Sequence, residues 1–167
     1  QALLDMFTMR ERFGRLEGLK VSIIGDIYHS RVARSNVWGL TKMGAHVTLC
    51  GPQTLMPAAI EQMGVNVTCN LEHALRDADV VMGLRIQRER LQGVFLSTLR
   101  EYHRYFGIHE DSIRLCEKDV LIMHPGPVNR GVELSSAVMD ADNSVINEQV
   151  TNGVAVRMAL LYLLTRK

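Results

Sequence analysis

The sequence predicts an α/β fold: a Rossmann-like open parallel sheet of about five strands with helices on both faces. Strand-length apolar runs alternate with helix-length segments along all 167 residues, which is how successive βαβ units read in sequence. The strand runs are continuously apolar, as in KVSII and VVMGL, so each is expected to be buried on both sides. No internal repeat, low-complexity tract or flexible linker interrupts the pattern. Residues 1–167 therefore read as one domain, long enough to bury a core.

Residues 1–13 place Leu3, Leu4, Phe7 and Met9 at roughly helical spacing, and Gly14 and Gly18 break that helix. Residues 20–26 (KVSIIGD) form a strand ending in Gly-Asp. Ser30 suits the N-cap of a helix running to about Lys42, with Gly44 closing it. A strand at 46–50 leads into Gly51-Pro52, and a helix is expected from Pro57 to Met63. Strand 65–69, helix 71–77 and strand 79–84 follow. Residues 85–108 have no clean period and read as a loop with one or two helical turns. The remainder reads as helix 111–116, strand 120–124, a Gly/Pro-rich loop at 125–132, a helix near 135–140 and an apolar last helix over 147–164. The crossovers are expected to be right-handed.

A net charge of +1 gives no argument for a nucleic-acid partner or a membrane surface. The positive charge is uneven in kind, fifteen Arg against four Lys, and Arg suits planar, bidentate contact with carboxylates and phosphates. Cys50, Cys69 and Cys116 are too dispersed for a CxxC or metal motif and read as reduced thiols of a cytoplasmic protein. No cofactor or metal is expected. There is no apolar run of the roughly 18 residues a membrane span needs, and no signal peptide. The chain starts at Gln1 directly on an amphipathic helix, so it is expected to be a piece of a longer protein.

In open parallel sheets, ligands bind beyond the carboxyl ends of the strands. Three loops there are unusual. The first, Gly25-Asp26-Ile27-Tyr28-His29-Ser30-Arg31, lacks GxGxxG and instead brings a polar cluster to a helix start, where free N–H groups favour an anion. Arg31 in the first helical turn opposes the helix dipole, which suits a ligand-facing role; pairing with Asp26 is the alternative. The second, Arg85-Ile86-Gln87-Arg88-Glu89-Arg90, concentrates three arginines. In extended chain Arg85 and Gln87 point one way and Ile86 inward. The third, His124-Pro125-Gly126-Pro127, is stiff, poor in N–H donors and rich in carbonyls. Gly126–Pro127 is a natural place for a cis bond. Two guanidinium loops and one carbonyl loop on one edge suit a ligand with carboxylates and an amine, such as an acidic amino acid.

Taken together, GDI-x-HSRVARS, RIQRER and HPGPVNRGVE, with QALLDMFT at the front and QVTNGVAVRMALL at the end, resemble the aspartate-binding domain of aspartate carbamoyltransferases. The resemblance spans essentially the whole chain, in the family's order. The sister ornithine carbamoyltransferases share the fold, but typically carry an HCLP motif at the position of His124 to Pro127 and lack the RxQxER loop. The resemblance implies transfer of the carbamoyl group of carbamoyl phosphate to L-aspartate in pyrimidine biosynthesis. It implies that Arg31 holds the α-carboxylate and Arg85 the β-carboxylate, with Gln87 beside it. It also implies that the carbonyls of Pro125 and Gly126 take the carbamoyl NH2, that Pro127 follows a cis bond, and that Gln1 ends an H-P-T-Q motif contacting the carbamoyl group.

The family's carbamoyl-phosphate domain, with its S-T-R-T-R loop, is not in these residues, so no catalytic set is complete here and the chain alone is expected to be inactive. The family forms catalytic homotrimers, in some members with regulatory chains or dihydroorotase. The stretch 88–108 corresponds to a loop that closes over aspartate, and the first and last helices to elements that meet the other domain. The competing reading is a non-catalytic dicarboxylate-binding or regulatory module. A nucleotide-binding Rossmann domain is disfavoured by the missing GxGxxG.

Overall fold

A computed structural model describes residues 1–86 and 98–166. The first helix, α1 (Ala2–Phe13), ends where Gly14 takes a left-handed φ of 73°, a conformation glycine adopts without a Cβ penalty. Strand β1 (Lys20–Ile24) leads to α2 (Arg31–Lys42), which Ser30 caps by accepting the Ala33 N–H at 3.0 Å, as the sequence predicts. Then come β2 (His46–Cys50), β3 (Asn66–Thr68), the short α3 (Leu71–Leu75) and β4 (Val80–Gly83). Beyond residue 97 lie α4 (Leu99–Phe106), α5 (Glu110–Ile113), β5 (Leu121–Met123), α6 (Ser136–Met139) and α7 (Ile146–Thr165).

The five strands are all parallel, in the order β3-β2-β1-β4-β5. The chain steps outward from β1 to β3, then returns to the other side of β1. That reversal makes the ends of β1 and β4 the topological switch point, the place beyond which open sheets of this type hold ligands. Val21, Ile23, Val47, Leu49, Val80, Met82, Leu121 and Met123 face one core with Met9 of α1 and Val37 and Leu40 of α2. Ile24, Cys50, Val81 and Ile122 face the other, with Leu75 of α3 and Val138 of α6. Both sheet faces are therefore covered, and this is why the strands read as unbroken apolar runs.

The sequence overstates several elements. The helix expected from Pro57 to Met63 is only a 3₁₀ turn over Ile60–Met63, entered through Ala59 at φ 59°. A left-handed residue cannot sit inside an α-helix, and Gly64 ends the turn at once. The helices expected at 71–77, 111–116 and 135–140 shrink to four or five residues, each opened by a side-chain cap from Asn70, His109 or Ser135. The helical turns expected within 85–108 fall at α4, where Thr98 accepts the Glu101 N–H at 3.0 Å and Tyr102 is buried. No helix among the described residues is long and apolar enough to cross a membrane.

Candidate active site

At the end of β1 the backbone bends through Gly25 at φ 139°. A Cβ there would lie 3.0 Å from Leu84 Cβ and 3.1 Å from the Leu84 carbonyl. Only glycine lets the β1 exit pass this close to the β4 exit. Beyond it Asp26 is buried, and its carboxylate accepts the His29 backbone N–H at 3.0 Å and the ring Nδ1–H at 2.9 Å. Asp26 is thus paired with His29, and the alternative partner, Arg31, makes no ion pair with another described residue. Arg31 stands exposed as the first residue of α2.

At the end of β4 the ladder continues one residue, Leu84 N–H donating to the Ile24 carbonyl at 2.8 Å. Arg85 is half-buried. Ile86 is fully buried against Leu55 and Tyr102, the inward turn that extended geometry predicts. Its N–H donates to Glu133 Oε1 at 2.7 Å. Gln87, Arg88, Glu89 and Arg90 lie outside the described residues, as does the first half of the stretch expected to close over a ligand.

At the end of β5, His124 is buried, and burial depresses its pKa to about 4. The neutral ring accepts the Gly126 N–H on Nδ1 at 2.9 Å, which assigns its own proton to Nε2. The Gly126–Pro127 bond is cis, as the sequence predicts, with Gly126 at φ 66°. The carbonyls of Pro125 and Gly126 accept no hydrogen bond from another described residue, and Gly126 and Pro127 are exposed. Further along, Glu133 accepts the Asn129 N–H at 2.8 Å and its side-chain amide at 2.7 Å. The same carboxylate holds the Ile86 N–H, so Glu133 joins the loops after β4 and β5.

Gln1 enters from a different direction. It stands before α1, accepts the Asp5 N–H on its carbonyl at 3.0 Å, and donates from Nε2 to Asp5 Oδ1 at 2.9 Å. Asp5 is fully buried, and burial, opposed by hydrogen bonds from Asn36, Gln149 and Gln1, raises its pKa. The structure thus brings the loops bearing Arg31, Arg85 and Pro125 to Pro127 to one edge, on the adjacent strands β1, β4 and β5. It ties Gln1 to that edge through Asp5 and Gln149.

Asp26, His29, Glu133, Asp5 and Gln149 organise this edge; sequence reasoning weighed Asp26 only as a partner for Arg31 and gave the other four no role. A signal existed for Asp5. Ala2, Asp5 and Met9, all buried, fall at i, i+3 and i+7 of one helical stripe, so a carboxylate there must be buried and needs partners.

Comparison with known proteins places the fold in a family. The pattern of the family described as aspartate/ornithine carbamoyltransferase, Asp/Orn binding domain, matches residues 17–164. The aspartate carbamoyltransferase catalytic subunit of Acetivibrio thermocellus is 65% identical over 167 residues, all of this chain and 54% of that protein. The chain thus spans about half the length of the curated relatives it matches. Ornithine carbamoyltransferase from Pyrococcus furiosus superimposes with a TM-score of 0.82 at 27% identity, over 97% of this chain and 54% of that one. Aspartate transcarbamoylase from Trypanosoma cruzi, solved with carbamoyl aspartate and phosphate, gives 0.81 at 27% identity, over 96% of this chain and 53% of that one. The chain belongs to the aspartate/ornithine carbamoyltransferase family, as its Asp/Orn-binding domain.

Proposed function

We propose that this chain is the aspartate-binding half of an aspartate carbamoyltransferase acting in de novo pyrimidine biosynthesis. The amine of L-aspartate attacks the carbonyl carbon of carbamoyl phosphate. The new C–N bond forms as the C–O bond to phosphate breaks, the amine loses a proton, and N-carbamoyl-L-aspartate and phosphate leave. The observation that carries the reading is the placement of two guanidinium loops on the neighbouring exits of β1 and β4, because two cationic forks suit a dicarboxylate. Ornithine, with a cationic side chain, would be repelled there. The identity of 65% to a relative named aspartate carbamoyltransferase catalytic subunit points the same way.

In this reading Arg31 binds the α-carboxylate, and Arg85 the β-carboxylate beside Gln87. The open carbonyls of Pro125 and Gly126 receive the carbamoyl NH2, Pro127 shapes that turn, and Gln1 contacts the carbamoyl group. These groups orient the nucleophile. Charge stabilisation on the departing phosphate belongs to the part of the full-length protein beyond these residues, a cytoplasmic catalytic homotrimer.

Calorimetric titration of the 167-residue chain tests the aspartate site. A charge-assisted bond contributes about 1.5–3 kcal/mol, so two, less ordering costs, give roughly millimolar binding of aspartate or succinate. Ornithine and NAD are expected not to bind, and the chain alone is expected to show no turnover. Arg85→Ala is expected to abolish succinate binding; unchanged binding would remove Arg85 from the site. Binding without turnover in the full-length protein would select a non-catalytic dicarboxylate module instead.

A further inference from the structure

The Asp5 carboxylate accepts three side-chain amides: Gln1 Nε2 and Gln149 Nε2 on Oδ1, both at 2.9 Å, and Asn36 Nδ2 on Oδ2 at 2.8 Å. Gln149, in the first turns of α7, is 2% exposed. Its Oε1 accepts the His124 backbone N–H at 2.9 Å, and His124 Nδ1 accepts the Gly126 N–H at 2.9 Å. A continuous run of hydrogen bonds therefore joins Gln1 to Gly126. Its direction is forced: a carboxylate only accepts, so Gln149 must turn its NH2 to Asp5 and its C=O to His124. No lysine or arginine neutralises the buried carboxylate among the described residues, and an apolar pair of similar volume would serve stability as well. Stability alone therefore gives no reason for this arrangement.

We propose that Asp5 and Gln149 are positioning residues for the carbamoyl group, locking Gln1 and the carbonyls of Pro125 and Gly126 into one rigid cradle. The inference rests on the reading above, in which those groups hold the carbamoyl moiety. Few charges face the relay. From α2 comes the uncharged Asn36, and Glu11 of α1 accepts from Asn152 of α7 at 2.7 Å. His124, at the β5 end, is held neutral.

The test uses Gln149→Leu and Gln149→Glu in the full-length protein. Gln149→Leu is expected to lower kcat by about tenfold or more while the aspartate KM moves less than about threefold. In Gln149→Glu two carboxylates face each other at neutral pH, and kcat falls. On acidification the pair shares one proton. The introduced carboxyl then donates to Asp5 and accepts from the His124 N–H, as the amide does. The ratio of variant to parent kcat therefore rises as pH falls, a response that loss of packing does not produce, and Gln149→Glu carries the test if Gln149→Leu does not fold. Parental kcat in Gln149→Leu, or a Gln149→Glu profile parallel to the parent's, overturns the proposal. A parent without carbamoyl transfer removes the functional reading instead. Amide exchange in the 167-residue chain then decides the relay: faster exchange at His124 and Gly126 in Gln149→Leu upholds the lock, and unchanged exchange overturns it.

Discussion

His124 carries a pH dependence that can be read from its burial. Its pKa is about 4 in the folded chain against an ordinary 6.5. Between those values the unfolded chain binds a proton that the folded chain excludes. The stability His124 contributes is therefore complete above 6.5 and is lost as pH falls toward 4, a span of about 3 kcal/mol. His124→Asn retains an acceptor for the Gly126 N–H and does not titrate. In urea unfolding it is expected to gain about 3 kcal/mol on the parent between pH 7 and pH 4; parallel curves would sink this account. Residue-scale features with local causes were legible in the sequence. Ser30 caps α2, Ile86 turns inward and Gly126–Pro127 is cis, and each follows from one or two neighbouring residues. The partner of Asp26 was not legible, because both His29 and Arg31 lie within reach along the chain and only the turn geometry selects His29.

Between elements, the feature that matters most is the Glu133 carboxylate, which holds the loop after β4 by Ile86 N–H and the loop after β5 by Asn129. Glu133→Ala leaves the buried Ile86 N–H without an acceptor, so a loss of about 2–3 kcal/mol is expected in chemical denaturation. A change within about 0.5 kcal/mol would mean that water or another carbonyl replaces it. The approximate place of every strand was legible, since apolar runs flanked by Gly, Pro and Asp are strong local signals; the order β3-β2-β1-β4-β5 was not, because local runs do not report which strands pair. The Glu133–Ile86 bond was not, because 47 residues separate its ends and no periodicity reports such a pairing. The 3₁₀ turn at Ile60–Met63 shows the opposite failure: helix-compatible residues outvoted by the backbone at Ala59.

At the scale of the molecule, α7 is the element least accounted for by the chain's own packing. Only Gln149 and Gly153 are buried among its 20 residues, while Met158, Leu161, Leu163 and Leu164 stand more than half exposed. An apolar helix face of this kind drives association, so the chain by itself is expected to self-associate with rising concentration in sizing experiments. Leu161→Glu with Leu164→Lys is expected to return it to monomer, and a monomeric parent at high concentration would contradict the expectation. What α7 does bury has a further consequence. Gln149 and Asn152 reach Asp5 and Thr8 across 144 residues. A ribosome adds about 5–20 residues per second, so Asp5 waits on the order of ten seconds for its last amide. Until then Asp5 has only the amides of Gln1 and Asn36, so the seam between α1 and α7 is completed late in synthesis.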